Sequence, residues 1–187
     1  MKKTFGAPVL IVTAIVATLT AREKASTQRP DFSAKGAWAS CELISDSRQD
    51  GDNQQDTVTI TQKFIGTLDG KWEGSEREVV HKDGTRTFSG SGTFTGEING
   101  HAGTAVLTHS GTVDSKGVAV AHWILDHGTD DLARVDGQGT WEGTRTRPAP
   151  AECRELRSQS AWSGNYVGTV TLPELKNAEH PTPNPEN

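Results

Sequence analysis

The chain has 187 residues, a formal net charge of −5 and a hydrophobic content of only 33%. That is enough for one ordinary domain with extensions, and no basic stripe marks a nucleic-acid surface. Abundant Gly and Thr with scarce apolar residues suit an all-β domain, where only every second position of a strand must face the core.

Lys2 and Lys3 precede an uncharged, apolar stretch from Thr4 to Ala21. A basic start, an apolar run and a small residue read as a secretory signal over 1–21, with Ala21 or Ala17 as the cleavage point. The alternative is an uncleaved anchor, since the stretch barely reaches spanning length. Gly6 and Pro8 weigh against it, and no cysteine follows to take a lipid. The expected location is secreted or periplasmic, with no membrane contact after cleavage. Residues 22–56 combine a polar linker, a first ordered segment with Phe32, Trp38 and Cys41, and a polar run from Ser45 to Asp56 with the composition of a flexible loop.

Residues 57–145 carry the strand signal. Thr57–Ile65 puts Val58, Ile60 and Phe64 on one face and threonines on the other. From Leu68 to His81, Trp72, Glu76 and Glu78 share the inward parity unless a bulge intervenes, and Lys71, Glu73 and Arg77 face water. After Asp83-Gly84 the row is Phe88, Gly90, Gly92, Phe94, Gly96 and Ile98; after Asn99-Gly100 it is Ala105, Leu107, His109 and Val113. Those dipeptides, with Asp114-Ser115-Lys116-Gly117, are hairpin turns that make successive strands antiparallel neighbours. Val118–Leu125 is apolar on both faces and is expected to be covered on both. Trp141 lies among Gly137, Gly139 and Gly143. Residues 146–172 form an extension with a candidate closing strand at Trp162–Leu172, and the proline-rich 173–187 reads as a disordered tail.

Glycines recur at inward positions, where they supply curvature and leave room. Closure also removes the exposed edges of so many strands. The predicted fold is therefore a closed antiparallel β-barrel of about eight strands in a meander, aromatic-lined and partly open inside. The only two cysteines, Cys41 and Cys153, flank its centre. In an exported chain they are expected to pair, closing a loop whose entropic effect is about 4–5 kcal/mol; two buried free thiols are the alternative.

The motifs Gly92-Thr93-Phe94-Thr95-Gly96, Asn99-Gly100, Leu107-Thr108-His109-Ser110-Gly111-Thr112-Val113, Ala121-His122-Trp123 and Gly137-Gln138-Gly139-Thr140 resemble a bacterial domain-of-unknown-function family with the allene oxide cyclase-like barrel fold. The resemblance covers roughly half of the chain and implies no catalytic residues. By analogy of fold alone, such barrels fold reactive polyenes or epoxides without a cofactor.

Two residues are catalytic candidates. Glu76, as a carboxyl inside an apolar barrel, would have a raised pKa and act as general acid or base; a bulge would return it to water. His109 could shuttle a proton or simply satisfy a neighbouring strand. Trp72, Phe88, Phe94, Trp123 and Trp141 form either a wall for an apolar ligand or ordinary core. His122 and His127 are too awkwardly spaced for a metal, and HGTDD reads as a turn. No nucleophile elbow, phosphate loop or HExxH is present, and no cofactor is expected. Two functions follow: an exported barrel holding a small, mainly apolar molecule, with cofactor-independent isomerisation or cyclisation as its chemistry, or a non-catalytic interaction module. An interior cavity of roughly 300 Å³ or more favours the first.

Overall fold

The computed structural model describes residues 31–158 and 160–172. Its strands are β1 (Asp31–Asp50), β2 (Asn53–Gly66), β3 (Leu68–Val80), β4 (Arg86–Ile98), β5 (His101–Val113), β6 (Val118–Asp126), β7 (Asp136–Arg145) and β8 (Ser160–Thr171), and they run in sequence order round a closed barrel. Neighbours are antiparallel throughout. β8 closes the ring by pairing with β1 from Thr171↔Asp31 to Ser160↔Glu42. Each strand body thus has two partners and offers no free edge.

The alternation holds strand by strand. On β3, Leu68, Trp72, Glu76 and Glu78 are buried and Asp69, Lys71, Glu73 and Arg77 are exposed, so no bulge returns the carboxyls to water. Asn99-Gly100 is a two-residue loop with φ of 50° and 83°, as a type I′ turn needs. The β3–β4 connection is longer than its Asp83-Gly84 pair suggests: the His81 N–H reaches Thr85 O, and Asp83 Oδ1 accepts from the Thr85 N–H.

Three expectations need correction. The polar run Ser45–Asp56 is the end of a hairpin and no flexible loop, turning at Gly51 with φ 61°. It is polar on both faces because this part of β1 projects past the barrel body, with every residue from Leu43 to Asp50 exposed. Its turn signal, Asp50-Gly51, stands in the sequence inside a polar run. The outer face of β6 is open to water, with Val120 45% and Ile124 52% exposed.

The third correction concerns the interior. Glycines at inward positions leave no hollow, because aromatic rings lie over them. A Cβ on Gly139 would stand 2.5 Å from Trp123 Cζ2 and 2.1 Å from Val167 O. One on Gly168 would meet the same ring, one on Gly143 the Trp38 ring, and one on Gly111 the Phe88 ring. Trp72, Trp123, Tyr166, Phe64 and Phe94 are all buried in this filled core. A hollow of about 620 Å³ does exist, but Val120, His122, Thr140 and Val167 on the outward faces of β6, β7 and β8 line it.

The two ends differ in chemistry. The end with the β2–β3 and β4–β5 turns is plugged by Leu68, Ile98, Leu125, Leu132, Val170 and Leu172, all fully buried. The opposite end carries the carboxyls. There Cys41 of β1 is bonded to Cys153 of the short helix α1 (Ala151–Glu155), which lies between β7 and β8. Neither cysteine is free. No helix among the described residues is long and apolar enough to cross a membrane. The signal reading of 1–21 and the tail reading of 173–187 fall outside the described residues.

Two outcomes check this account. Gly139→Ala should destabilise the protein by roughly 1–3 kcal/mol in urea unfolding and alter its near-ultraviolet dichroism, since the methyl meets backbone as well as ring. Replacing Cys41 and Cys153 together by Ser should lower stability by roughly 2–5 kcal/mol without changing far-ultraviolet dichroism.

Candidate functional site

Glu76, Gly90 and His109 form one cross-strand row, on β3, β4 and β5. The middle position has no side chain, so the imidazole lies across it and reaches the carboxyl: His109 Nε2 is 2.6 Å from Glu76 Oε2. A Cβ on Gly90 would stand 2.7 Å from both Nε2 and Cε1 of that ring. Three aromatic rings fix the imidazole's attitude, Trp141 at 4.8 Å, Trp72 at 5.2 Å and Phe88 at 5.9 Å between centroids. Both partners are buried, His109 at 6% exposure and Glu76 at 6%.

Burial dominates the electrostatics. It pushes the Glu76 carboxyl up to about 8, helped by the charge of Glu78 and opposed by Arg86. It also pulls His109 down to about 4, against the attraction of Glu42. Near neutral pH the pair is uncharged, so the carboxyl O–H donates to Nε2 and the remaining ring proton sits on Nδ1. Loss of one proton reverses the bond. The carboxylate then accepts from Nε2–H, and Nδ1 is left bare as an acceptor. Nδ1 is buried and has no partner among the described residues.

Around this pair lie further carboxyls. Glu42 keeps some exposure at the mouth, but its Oε2 accepts from Ser160 Oγ and, at 2.8 Å, from Trp162 Nε1. Burial raises its pKa to about 7, with the Ser160 bond working the other way. Glu78 receives Arg86 Nη1 on both oxygens, at 3.1 and 3.0 Å.

A cavity of about 40 Å³ sits among these groups, and Trp38, Gln62, Glu76, His109 and Trp141 are in its wall. Among the described residues four buried side-chain polar atoms have no partner, and three of them, Trp38 Nε1, Gln62 Nε2 and His109 Nδ1, are on residues that line it. The indole N–H can only donate, the amide can present either end, and Nδ1 donates or accepts according to the proton on Glu76. The chemistry on offer is therefore hydrogen bonding to a small oxygen-bearing group, with one proton free to move.

The structure brings Glu76 and His109 together and puts Phe88 and Trp141 in the cavity wall. Trp72, Phe94 and Trp123 are elsewhere, packed into the core at 0%, 0% and 2% exposure. Trp72 donates its indole N–H to Leu107 O at 3.0 Å, and Trp123 donates to Thr140 O at 3.3 Å. Sequence reasoning missed Trp38, Glu42, Gln62 and Trp162. Gln62 shares parity with Ile60 and Phe64 and was legible; Trp38, Glu42 and Trp162 lie in the strands read as lying outside the barrel core. His122 is exposed, and His127 Nδ1 pairs with Asp126 at 2.6 Å on the surface. No group of three or more His, Cys, Asp or Glu poised for a metal occurs among the described residues.

The profile of the family described as "Protein of unknown function (DUF3224)" matches residues 39–150, more than half of the chain, so the chain belongs to that family. A crystal structure of a protein with unknown function from the DUF3224 family, from Shewanella oneidensis MR-1, is similar at 14% identity with a TM-score of 0.56, over 77% of this chain and 98% of that one. At that identity the likeness concerns the fold alone. The resemblance drawn from the glycine–threonine motifs is upheld. No curated protein matches the chain.

The charge states have a consequence for stability. Unfolded Glu76 ionises near 4.5 and the folded carboxyl near 8, so between those values the unfolded state holds fewer protons and stability falls as pH rises. His109 acts the opposite way, costing stability as pH falls from 6.5 toward 4. From about pH 6.5 to about 8.5 the carboxyl dominates, and the urea midpoint of the wild type should drop. In Glu76→Gln the drop should be smaller; equal drops would refute a buried protonated carboxyl.

Proposed function

We propose that this DUF3224 protein is an exported barrel whose polar end takes up a small molecule and moves a proton on it without a cofactor. One observation carries the reading: among the described residues, three that bear an unpartnered buried polar atom, Trp38, Gln62 and His109, line a single cavity beside the Glu76–His109 pair. Buried polar groups are nearly always satisfied, so a wall that leaves three unsatisfied suits an incoming oxygen-bearing group. A volume of about 40 Å³ is on the scale of one or a few waters. Only a polar head enters, and the apolar body of the ligand rests on Phe88, Trp141 and Trp162. The disulfide and the signal-like start support export.

In this reading Trp38 N–H and the Gln62 amide hold a carbonyl oxygen, where charge develops as an adjacent C–H ionises. Bare Nδ1 of His109 takes that proton, as a general base backed by the Glu76 carboxylate on Nε2. Returning the proton at a different carbon completes an isomerisation in which no electron leaves the substrate. Glu76 sets the proton on Nε2, and the three rings hold the imidazole in place.

A second reading, a binding or interaction module without chemistry, draws support from the filled barrel. The 40 Å³ cavity falls far below the roughly 300 Å³ that would house a whole apolar molecule.

The two are separated with 5-nitrobenzisoxazole, a probe whose ring opening needs only a base within reach. The wild type should open it faster than buffer, with a rate rising through about pH 8 as Nδ1 is bared. His109→Ala and Glu76→Gln should each lose most of that rate while native mass spectrometry still finds any co-purified ligand. A wild-type rate equal to that of His109→Ala would remove the catalytic reading and leave the interaction module.

A further inference from the structure

The geometry points to a second part of this site, and we propose that the mouth of the barrel binds the charged group of a small organic anion. This extends the reading of that end as a ligand site: the anion is held outside, and the rest of the molecule faces the inner cavity. A groove of about 380 Å³ runs between the β3–β4 turn, the β5–β6 turn and the end of β7. Val113 and Trp162 belong to its wall and also to the wall of the inner cavity, so the two spaces are adjacent.

Four cations line the groove: Arg86, Lys116, Arg145 and Arg147. Arg86 is taken up by Glu78. Arg145 lies over the Trp162 ring, its guanidinium carbon 5.2 Å from the centroid. Among the described residues Lys116, Arg145 and Arg147 form no ion pair. The one acid in the lining, Asp114, offsets a single charge, and its Oδ1 already accepts the Lys116 and Val118 N–H groups. The guanidiniums are close enough to oppose one another: burial first, then the charge of Arg86, and after the opposing pull of Glu42 that of Arg147, hold Arg145 below its ordinary range.

Crowded guanidiniums without carboxylate partners are the arrangement a carboxylate or phosphate relieves, by paired N–H···O bonds. The chain as a whole carries −5, so this patch of positive potential stands against the general sign of the surface and draws anions locally. The indole face of Trp162 and the Val113 side chain add an apolar wall. That favours an organic anion, with a body as well as a charge, over a bare oxyanion. Beneath the groove burial holds Glu42 and Glu76 toward their neutral forms, which lessens their repulsion of an anion.

The test titrates the full chain with benzoate, inorganic phosphate and benzyl alcohol, followed by calorimetry and by the arginine Nε–H signals. Benzoate should bind more tightly than phosphate, benzyl alcohol should bind far more weakly, and added salt should weaken benzoate binding. The double variant Arg145→Gln/Arg147→Gln should weaken benzoate by about tenfold or more, and Arg145→Lys/Arg147→Lys should keep part of the affinity. A change within about twofold in the Gln variant, or equal binding of benzyl alcohol, would overturn the anion site. Phosphate binding as tightly as benzoate would overturn the organic class. His122→Ala, on the outer face of β6, should leave benzoate affinity unchanged. Benzoate binding through the arginines without nitrobenzisoxazole turnover would sink the proton-transfer reading and leave this one standing.

Discussion

Rings seated on bare glycine backbone hold this barrel in shape. An eight-stranded barrel encloses a narrow interior, and an indole fits there only where the facing strand carries no Cβ. Trp123 over Gly139 and Gly168, Trp38 over Gly143 and Phe88 over Gly111 are instances of one solution repeated round the wall. The ring restores the contact area that the glycine gives up, and the glycine supplies the bend that closes the sheet. Interior packing and sheet curvature are thus set by the same residue pairs.

The same device builds the site. Glu76 and His109 are two strands apart, and they meet because Gly90 between them leaves the row open. In place of an indole, the ring that fills the gap is an imidazole. A structural motif used elsewhere for packing here yields a 2.6 Å contact between two titratable groups out of reach of bulk water. Any larger residue at position 90 would displace the ring and leave a buried carboxyl without its partner, an expensive state in a low-dielectric interior.

Much of this was legible in the chain. Strict two-residue alternation set the inward rows, so Glu76, Glu78 and His109 could be placed inside from parity alone, and Asn99-Gly100 announced its own turn. What parity could not give was which rows meet across strands. That depends on register, and register depends on the lengths of the turns: the His81–Thr85 connection, longer than a two-residue loop, decides that Glu76 faces Gly90. The glycines misled for a related reason. One strand read alone shows a missing side chain; only its neighbours show the ring that occupies the space. β1 and β8 were undervalued because an ordered segment before the barrel core and a candidate closing strand after it were read as additions to that core, although Glu42 and Trp162 lie within them.

The two ends of the barrel offer an internal comparison. One is closed mainly with leucine, isoleucine and valine, the inexpensive way to cap a small core, with His101, opposite Ile98, as its buried titratable side chain. The other holds four carboxyls, those of Glu42, Asp56, Glu76 and Glu78, and an imidazole, with burial pushing Glu76 and Glu42 up and His109 down. Each shift measures stability forgone at one pH or another. A chain that solves the same packing problem cheaply at one end and at a cost at the other departs from consistency where function usually resides. The departure is also concentrated: among the described residues, Glu42, Glu76 and His109 line one space together with the other residues that bear three of the four unpartnered buried polar atoms, and Arg145 and Arg147, which form no ion pair there, stand at its rim.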